Sequence, residues 1–294
     1  MSTPLVSFVV PAFNPGDWLD PCLQSIFNQT VEVAEVEVIL VDDGSTRWPE
    51  TGLCYHDRVT LIRRPNRGVS AARNTGYAQA HGEFVCFLDA DDTVLPEFTE
   101  RLAAPLQADL KLTGSYCNGK LNWMYPGPAW RPTRLDYGPV DDFRAALVTR
   151  PMNLGAMLFR RERLQHVGGF DLTLSSASED WDFLLKLAAD GQFSFVEAPL
   201  YEYRLTEDSM TRQFARLYDL TRSALLRHRL NDRAPQLSPA EFKVAMHHLA
   251  NWAVREGRDQ WRRGRLPGGF PTLLGFVARR PELAVTLVKR LLRP

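Results

Sequence analysis

The sequence predicts an α/β domain with a mostly parallel sheet flanked by helices and followed by a helical extension. Three observations predict it. Short apolar runs rich in β-branched and aromatic residues alternate with amphipathic stretches, at the spacing of strand-helix-strand units. Polar clusters follow three of those runs, and in parallel sheets ligands gather beyond the carboxyl ends of the strands. Past Ser209 the pattern is helical to the end, broken near Pro235, Pro267–Pro271 and Pro281.

Leu5–Val10 (LVSFVV), Val36–Val41 (VEVILV), Val59–Arg63 and Phe84–Leu88 (FVCFL) are bounded by polar or turn residues and read as buried strands. Between them, Asp17–Gln29 carries Leu19, Leu23, Ile26 and Phe27 on one face, and Ser70–His81 opens on a capping serine and stops at Gly82. Both read as helices. Pro96–Gln107 reads as another helix and Asp109–Thr113 as another strand. Ser115–Pro139 interleaves Tyr116, Trp123, Tyr125, Trp130 and Tyr137 with four prolines, which leaves a loop or an irregular hairpin. Leu154–Phe159 follows as a strand, Glu179–Asp190 as a helix, and Phe193–Val196 and Leu200–Tyr203 as short strands.

The 294 residues, 45% of them hydrophobic, exclude disordered, collagen-like and small disulfide-stapled classes. Cys22, Cys54, Cys86 and Cys117 are widely spaced, with no CxxC or Cys/His pairing for zinc or redox work, which fits a reducing cytosol. The sequence predicts no signal peptide and no spanning helix. Net charge is zero, with 35 Lys+Arg against 35 Asp+Glu, yet from Arg255 onward ten basic residues face only three acidic ones. That asymmetry separates a basic tail from an acidic body.

Asp89, Asp91 and Asp92 crowd one strand end, an arrangement that repulsion disfavours unless a cation or proton is shared. A solvated acidic turn is the plain alternative. Asp42 and Asp43 converge on the same edge, which favours a hard divalent ion, Mg2+ or Mn2+, held by one or two carboxylates plus substrate phosphates. In Asn66–Asn74 (NRGVSAARN), Gly68 permits a turn and Ser70 caps a helix whose free N–H groups would face anions; there is no GxGxxG and no GK[ST]. Ser178-Glu179-Asp180 opens a helix carrying Trp181, Phe183, Leu184 and Leu187. Its acids read either as partners of the helix dipole or as a general base in a partly dry pocket.

VSFVVPAFN, VDDGS, NRGVSAARNTG, FLDADD and SEDWDF, taken together over about residues 4–205, resemble the family 2 glycosyltransferases. These are inverting enzymes with the GT-A nucleotide-sugar-binding fold. The resemblance implies a nucleotide-sugar donor, expected to be a UDP-sugar, with Pro11, Ala12, Phe13, Asn14 and Asp43 around the nucleotide and Asp43 on the uracil edge. As a strand-end loop acid, Asp43 is expected to carry little packing. By the same resemblance Asp89, Ala90 and Asp91 lie beside the ribose and diphosphate, Asp91 and Asp92 bind the metal, and Arg73 lies near the donor with Asn74 supporting its loop. Asp180 matches the catalytic base, with Glu179 beside it. Arg204 stands where the family often reads YRxH; Thr206 replaces the histidine, and Phe13 replaces a commoner tyrosine.

The domain is expected over 1–208, divided into a nucleotide-binding half (1–113) and an acceptor-binding half (114–208), with a basic helical extension over 209–294. Trp123, Trp130, Trp181 and Arg204 are candidates to hold an acceptor, a glycan or a lipid-linked sugar, because flat aromatic faces stack on pyranose rings. The alternative is that the tryptophans plug the core. In the tail, Leu283, Leu287 and Leu291 share a face with Ala284 and Val288, bordered by Arg280, Lys289, Arg290 and Arg293. Such a helix lies on an anionic membrane surface or packs on its own domain or a partner subunit, so an oligomer is open. The expected setting is the cytoplasm, on the inner face of the cell membrane in the first case, and the expected role is cell-surface polysaccharide or glycolipid synthesis. No nucleic-acid partner is expected. Two rival readings remain: Phe87–Val94 also resembles the first motif of haloacid-dehalogenase-like phosphatases, with Asp89 as nucleophile and Asp91 as acid/base, and a non-catalytic sugar-binding protein would keep the fold.

Overall fold

The computed structural model describes residues 3–32, 35–49, 51–123, 134–149, 152–174, 179–205, 218, 219, 221, 222, 225, 237–262, 276, 277 and 280. The chain divides into two units, residues 1–147 with 151–207, and residues 148–150 with 208–294.

The first unit is built on one mixed sheet. Strands β1 (Val6–Ala12), β2 (Val36–Asp42), β3 (Val59–Arg63) and β4 (Phe84–Phe87) run parallel in the order β3-β2-β1-β4. Buried on both faces, β1 and β2 need continuous apolar runs, which is what their sequences supply. The register pairs Ala12 with Asp42 and Asp42 with Arg63, so the carboxyl ends of three strands finish level. Helices α1 (Leu19–Phe27), α2 (Val69–Tyr77) and α3 (Phe98–Ala108) follow β1, β3 and the short strand β5 (Thr93–Val94).

The antiparallel pairs belong to the second half. There β6 (Leu112–Trp123), β7 (Arg134–Leu135), β8 (Met157–Arg160) and β9 (Gln192–Leu205) extend the sheet to β4-β8-β6-β9-β5, with β7 on β6. Helices α4 (Phe143–Thr149), α5 (Arg161–His166) and α6 (Glu179–Asp190) accompany them. Where a loop or irregular hairpin is expected, residues up to Trp123 form a strand paired on both sides, and Arg134–Leu135 returns antiparallel to it. The prolines begin only at Pro126, so nothing interrupts the ladder before then. The two expected short strands near 193–203 are one strand, β9, whose register on β6 jumps between Val196 and Pro199. That irregularity absorbs the polar break which divides them in sequence.

Phe170 stacks on Phe183 at 4.1 Å, and Phe87 meets both rings edge-on at 5.0 and 5.6 Å. Burying a phenylalanine is worth ~1.5–3 kcal/mol, so this cluster fixes α6 against β4. In the second unit, Ser238 and Glu241 exchange hydrogen bonds at the start of the helix Pro239–Arg262, a capping box with proline at the first helical position. Among the described residues no helix is long and apolar enough to cross a membrane.

Candidate active site

Arg73 joins three segments that are far apart in sequence. It sits on α2, is 2% exposed, and its guanidinium reaches Asp89 after β4 at 2.8 Å and Glu179 at the start of α6 at 3.3 Å. The same group donates to Asp180, and it lies 5.3 Å from the Phe170 ring centroid. A buried arginine needs such partners, because desolvating an unpaired cation is prohibitive. Asn74 pairs with the next segment: its amide accepts from the Phe170 N–H and donates to the Phe170 carbonyl, both at 2.8 Å. Gly169 has φ of 77°, and a Cβ there would stand 2.6 Å from Asn74 Oδ1. Only glycine allows that approach.

The acids at the head of α6 are sorted by their surroundings. Glu179 and Asp182 side chains are 4% and 2% exposed, the latter 2.6 Å from Lys186, whereas Asp180 keeps 37% exposure. Burial raises the Asp180 pKa to about 8; Arg73 opposes the rise, and the Glu179 and Asp89 carboxylates add to it. It is therefore the accessible, strengthened base of the three.

At the β1–β2 edge, Pro11 and Ala12 are buried in β1, and the Ala12 carbonyl accepts from Asp43 N–H at 2.8 Å. Phe13 is 53% exposed. Asn14, with φ of 49°, accepts through Oδ1 from the Thr46 and Arg47 N–H groups at 2.9 and 3.0 Å, locking the two loops together. Asp43 departs from the expectation of a lightly packed loop acid. It is 3% exposed, accepts from Arg67 and Gly68 N–H groups at 3.1 and 2.8 Å, and pairs with Arg64 Nε at 3.2 Å. The capping serine is also corrected. Gly68, with φ of 87°, holds the N-cap position of α2, and Ser70 is buried inside the first turn. Asp43, from the loop after β2, takes the Arg67 and Gly68 amides just ahead of the helix, where its negative charge complements the helix dipole.

The acidic turn after β4 divides its labour. Asp89 is bound to Arg73 and its side chain is 43% exposed, while Ala90 is buried. Asp91 has no ion-pair partner among the described residues, and burial followed by Asp89 raises its pKa to about 6. Asp92, expected beside it at a metal, is enclosed instead: it is 0% exposed, Oδ1 accepts from the Arg204 N–H at 2.9 Å, and Oδ2 accepts from the Tyr201 hydroxyl. Among the described residues no group of three or more His, Cys, Asp and Glu is placed to hold a metal unaided.

Arg204, a candidate for the acceptor, stands beside this turn. Its Nη1 reaches the Asp91 carbonyl at 3.5 Å, and its guanidinium lies 5.8 Å from the Trp18 ring centroid. Trp181 donates from Nε1 to the Leu147 carbonyl at 2.8 Å, and Tyr116 and Tyr137 are core residues. Trp123 ends β6; Trp130, Ser178, Thr206 and the tail from Leu283 onward lie outside the described residues. Tyr201, Asn153, Arg64 and Trp18 are site neighbours that the sequence patterns do not flag, since each becomes one only through strand pairing or loop closure. The four cysteines are free and buried.

Residues 7–168 match the glycosyl transferase family 2, and the chain belongs to that family. The phosphatase reading falls with this match. EpsJ of Bacillus subtilis (strain 168), an uncharacterized glycosyltransferase, is 31% identical over 220 residues, covering 71% of this chain and 63% of its own length. Two solved structures share the GT-A fold at a TM-score of 0.60 each. One is the mannosyltransferase PcManGT from Pyrobaculum calidifontis in complex with GDP-Man and Mn2+, at 21% identity over 98% of this chain and 86% of that one. The other is S. aureus TarS 1-349 in complex with UDP-GlcNAc, at 20% identity over 84% of this chain and 72% of that one. The chain spans 64%, 30% and 63% of the first three curated relatives it matches.

Proposed function

We propose that this chain is an inverting, metal-dependent glycosyltransferase that moves a sugar from a nucleotide-sugar, a UDP-sugar in the first instance, to an acceptor hydroxyl. The observation that carries the reading is the Arg73 guanidinium, which holds Asp89 of the acidic turn and Asp180 of α6 within one hydrogen-bonded cluster. Donor and base are thereby brought to one place, as an in-line displacement needs.

In this reading the exposed ring of Phe13 stacks on the nucleobase, whose polar edge meets the Asp43 loop. Asp89 and Arg204 border the ribose and diphosphate. Asp180 accepts the proton of the acceptor hydroxyl as its oxygen bonds to the anomeric carbon; the bond from that carbon to the diphosphate oxygen breaks on the opposite face, and configuration inverts. One carboxylate suffices, because no covalent enzyme intermediate forms. Asp91 fits a hard cation: it is an oxygen ligand, its carboxylate feels the Arg204 charge but closes no ion pair among the described residues, and phosphates would complete the shell. Mn2+ or Mg2+, when bound, neutralises charge growing on the diphosphate.

The acceptor is a glycan or lipid-linked sugar, the setting is cell-surface polysaccharide or glycolipid synthesis, and the place is the cytoplasm, with the basic tail on the inner face of the cell membrane. The domain division at 208/209 belongs to the same proposal. The test is nucleoside diphosphate release from a panel of UDP- and GDP-sugars with Mn2+, with and without EDTA. Release should stop in chelator and return with Mn2+ or Mg2+; undiminished turnover in EDTA sinks the metal part. Binding of sugar without any donor cleavage would favour the non-catalytic reading.

A further inference from the structure

We infer that Asp92 and Tyr201 form a positioning pair that sets Arg204 and Asp91 at the diphosphate, and that Asp92 is not itself a metal ligand. The inference rests on the donor-binding reading above and assigns residues that the family pattern leaves without this role. Asp92 is 0% exposed and Tyr201 1% exposed. The Tyr201 hydroxyl donates to Asp92 Oδ2 and accepts from Asn153 Nδ2 at 3.2 Å. Asp92 Oδ1 takes the Arg204 main-chain N–H at 2.9 Å. Both oxygens are thus committed inside the fold, which suits a strut and leaves a cation no open approach.

What the strut holds is functional. Pinning the Arg204 main chain fixes where its side chain starts. The guanidinium then reaches the Asp91 carbonyl at 3.5 Å and lies 5.8 Å from the Trp18 ring. The pairing of Val94 with Tyr201 and Thr93 with Glu202 fastens the same two segments, and Thr93 Oγ1 donates to Glu202 Oε2 at 3.1 Å. Sheet pairing alone would hold β5 to β9. The buried carboxylate adds a polar constraint where β9 passes the acidic turn, and polar constraints of this kind select a single geometry.

The test compares Asp92→Asn, Tyr201→Phe, their double variant and Asp91→Asn in the full chain. Two quantities are read: the Kd for UDP at saturating Mn2+, and the Mn2+ concentration giving half-maximal UDP binding. Tyr201→Phe should weaken UDP ~2–12-fold, the range for one typical hydrogen bond, and leave the Mn2+ requirement within about twofold of wild type. Asp92→Asn, which retains an acceptor for the Arg204 N–H, should show a smaller loss with the same unchanged requirement. The double variant should lose no more than the worse single variant, because both act through one contact. Asp91→Asn should instead raise the Mn2+ requirement by about tenfold or more. If Asp92→Asn raises that requirement as Asp91→Asn does, Asp92 is a ligand and the inference is overturned; additive losses in the double variant overturn it too. Should Tyr201→Phe not fold, Asp92→Asn decides alone. Wild-type protein that binds no UDP with Mn2+ removes the UDP-donor reading and this inference with it, whereas normal wild-type binding with silent variants removes only the inference.

Discussion

Three acids open α6, and of these Asp180 alone combines its ion pair with open access to solvent. Glu179 is spent on Arg73 and Asp182 on Lys186, while Asp180 touches Arg73 and still faces solvent. Asp180→Asn keeps size and shape, and Arg73 retains Asp89 and Glu179. UDP affinity and stability should therefore persist while transfer falls ~10²–10⁴-fold, the usual loss for a positioned general base. Transfer within about threefold of wild type would remove Asp180 from the mechanism. If Asp180 is the base, as proposed above, its working form is the anion, and burial raises its pKa to about 8, so kcat should rise with pH and level off above that value. Glu179→Gln deletes a neighbouring negative charge that contributes to the rise. It should move the ascending limb to lower pH, and a limb that stays put or moves upward would show that Glu179 does not tune the base. Asp180 is legible in the sequence because SEDWDF is a local pattern. The enclosure of Asp92 is not, since it depends on a residue 109 positions away brought alongside by β5–β9 pairing.

At the scale of elements, α2 shows how a helix start is completed from outside its own sequence. The apolar pattern reveals that the helix exists, but its cap is Gly68 with Asp43 reaching across from the end of β2, not Ser70. Sequence periodicity reports which face a helix buries; it does not report which distant carboxylate takes the amides just ahead of it. For β6 the sequence leaves a loop or an irregular hairpin open, and pairing with β7, β8 and β9 selects the hairpin. Asp43→Ala should consequently cost stability as well as donor affinity, about 2–3 kcal/mol for lost charge-assisted bonds, read as a lower urea midpoint at unchanged m. Asp43→Asn can still accept from one amide and should fall between. An unchanged midpoint for Asp43→Ala would return the residue to a purely ligand-facing role.

At the scale of the whole molecule, the two units differ in kind. The first brings its candidate site to one sheet edge, because parallel register ends its strands level. The second carries a surplus of charge: ten Lys+Arg against three Asp+Glu from Arg255 onward. Part of that surplus is engaged, since Arg280 lies 4.2 Å from the Phe276 ring centroid and pairs with Asp219. Lys289, Arg290 and Arg293 fall on the amphipathic pattern of the last residues in sequence, and in the membrane reading proposed above they are the charges that would meet an anionic lipid surface. Each basic residue near such a surface contributes ~1 kcal/mol, so changing all three to Glu in the full chain should weaken binding to phosphatidylserine vesicles by about 10²-fold or more at low ionic strength. Added salt should weaken the wild type in the same direction. Nucleoside diphosphate release should stay unchanged, because these residues have no part in the donor site proposed above. Vesicle sedimentation that is absent or insensitive to salt in the unaltered chain would overturn the membrane reading, and a change of oligomeric state in the substituted chain would place the tail against a partner subunit.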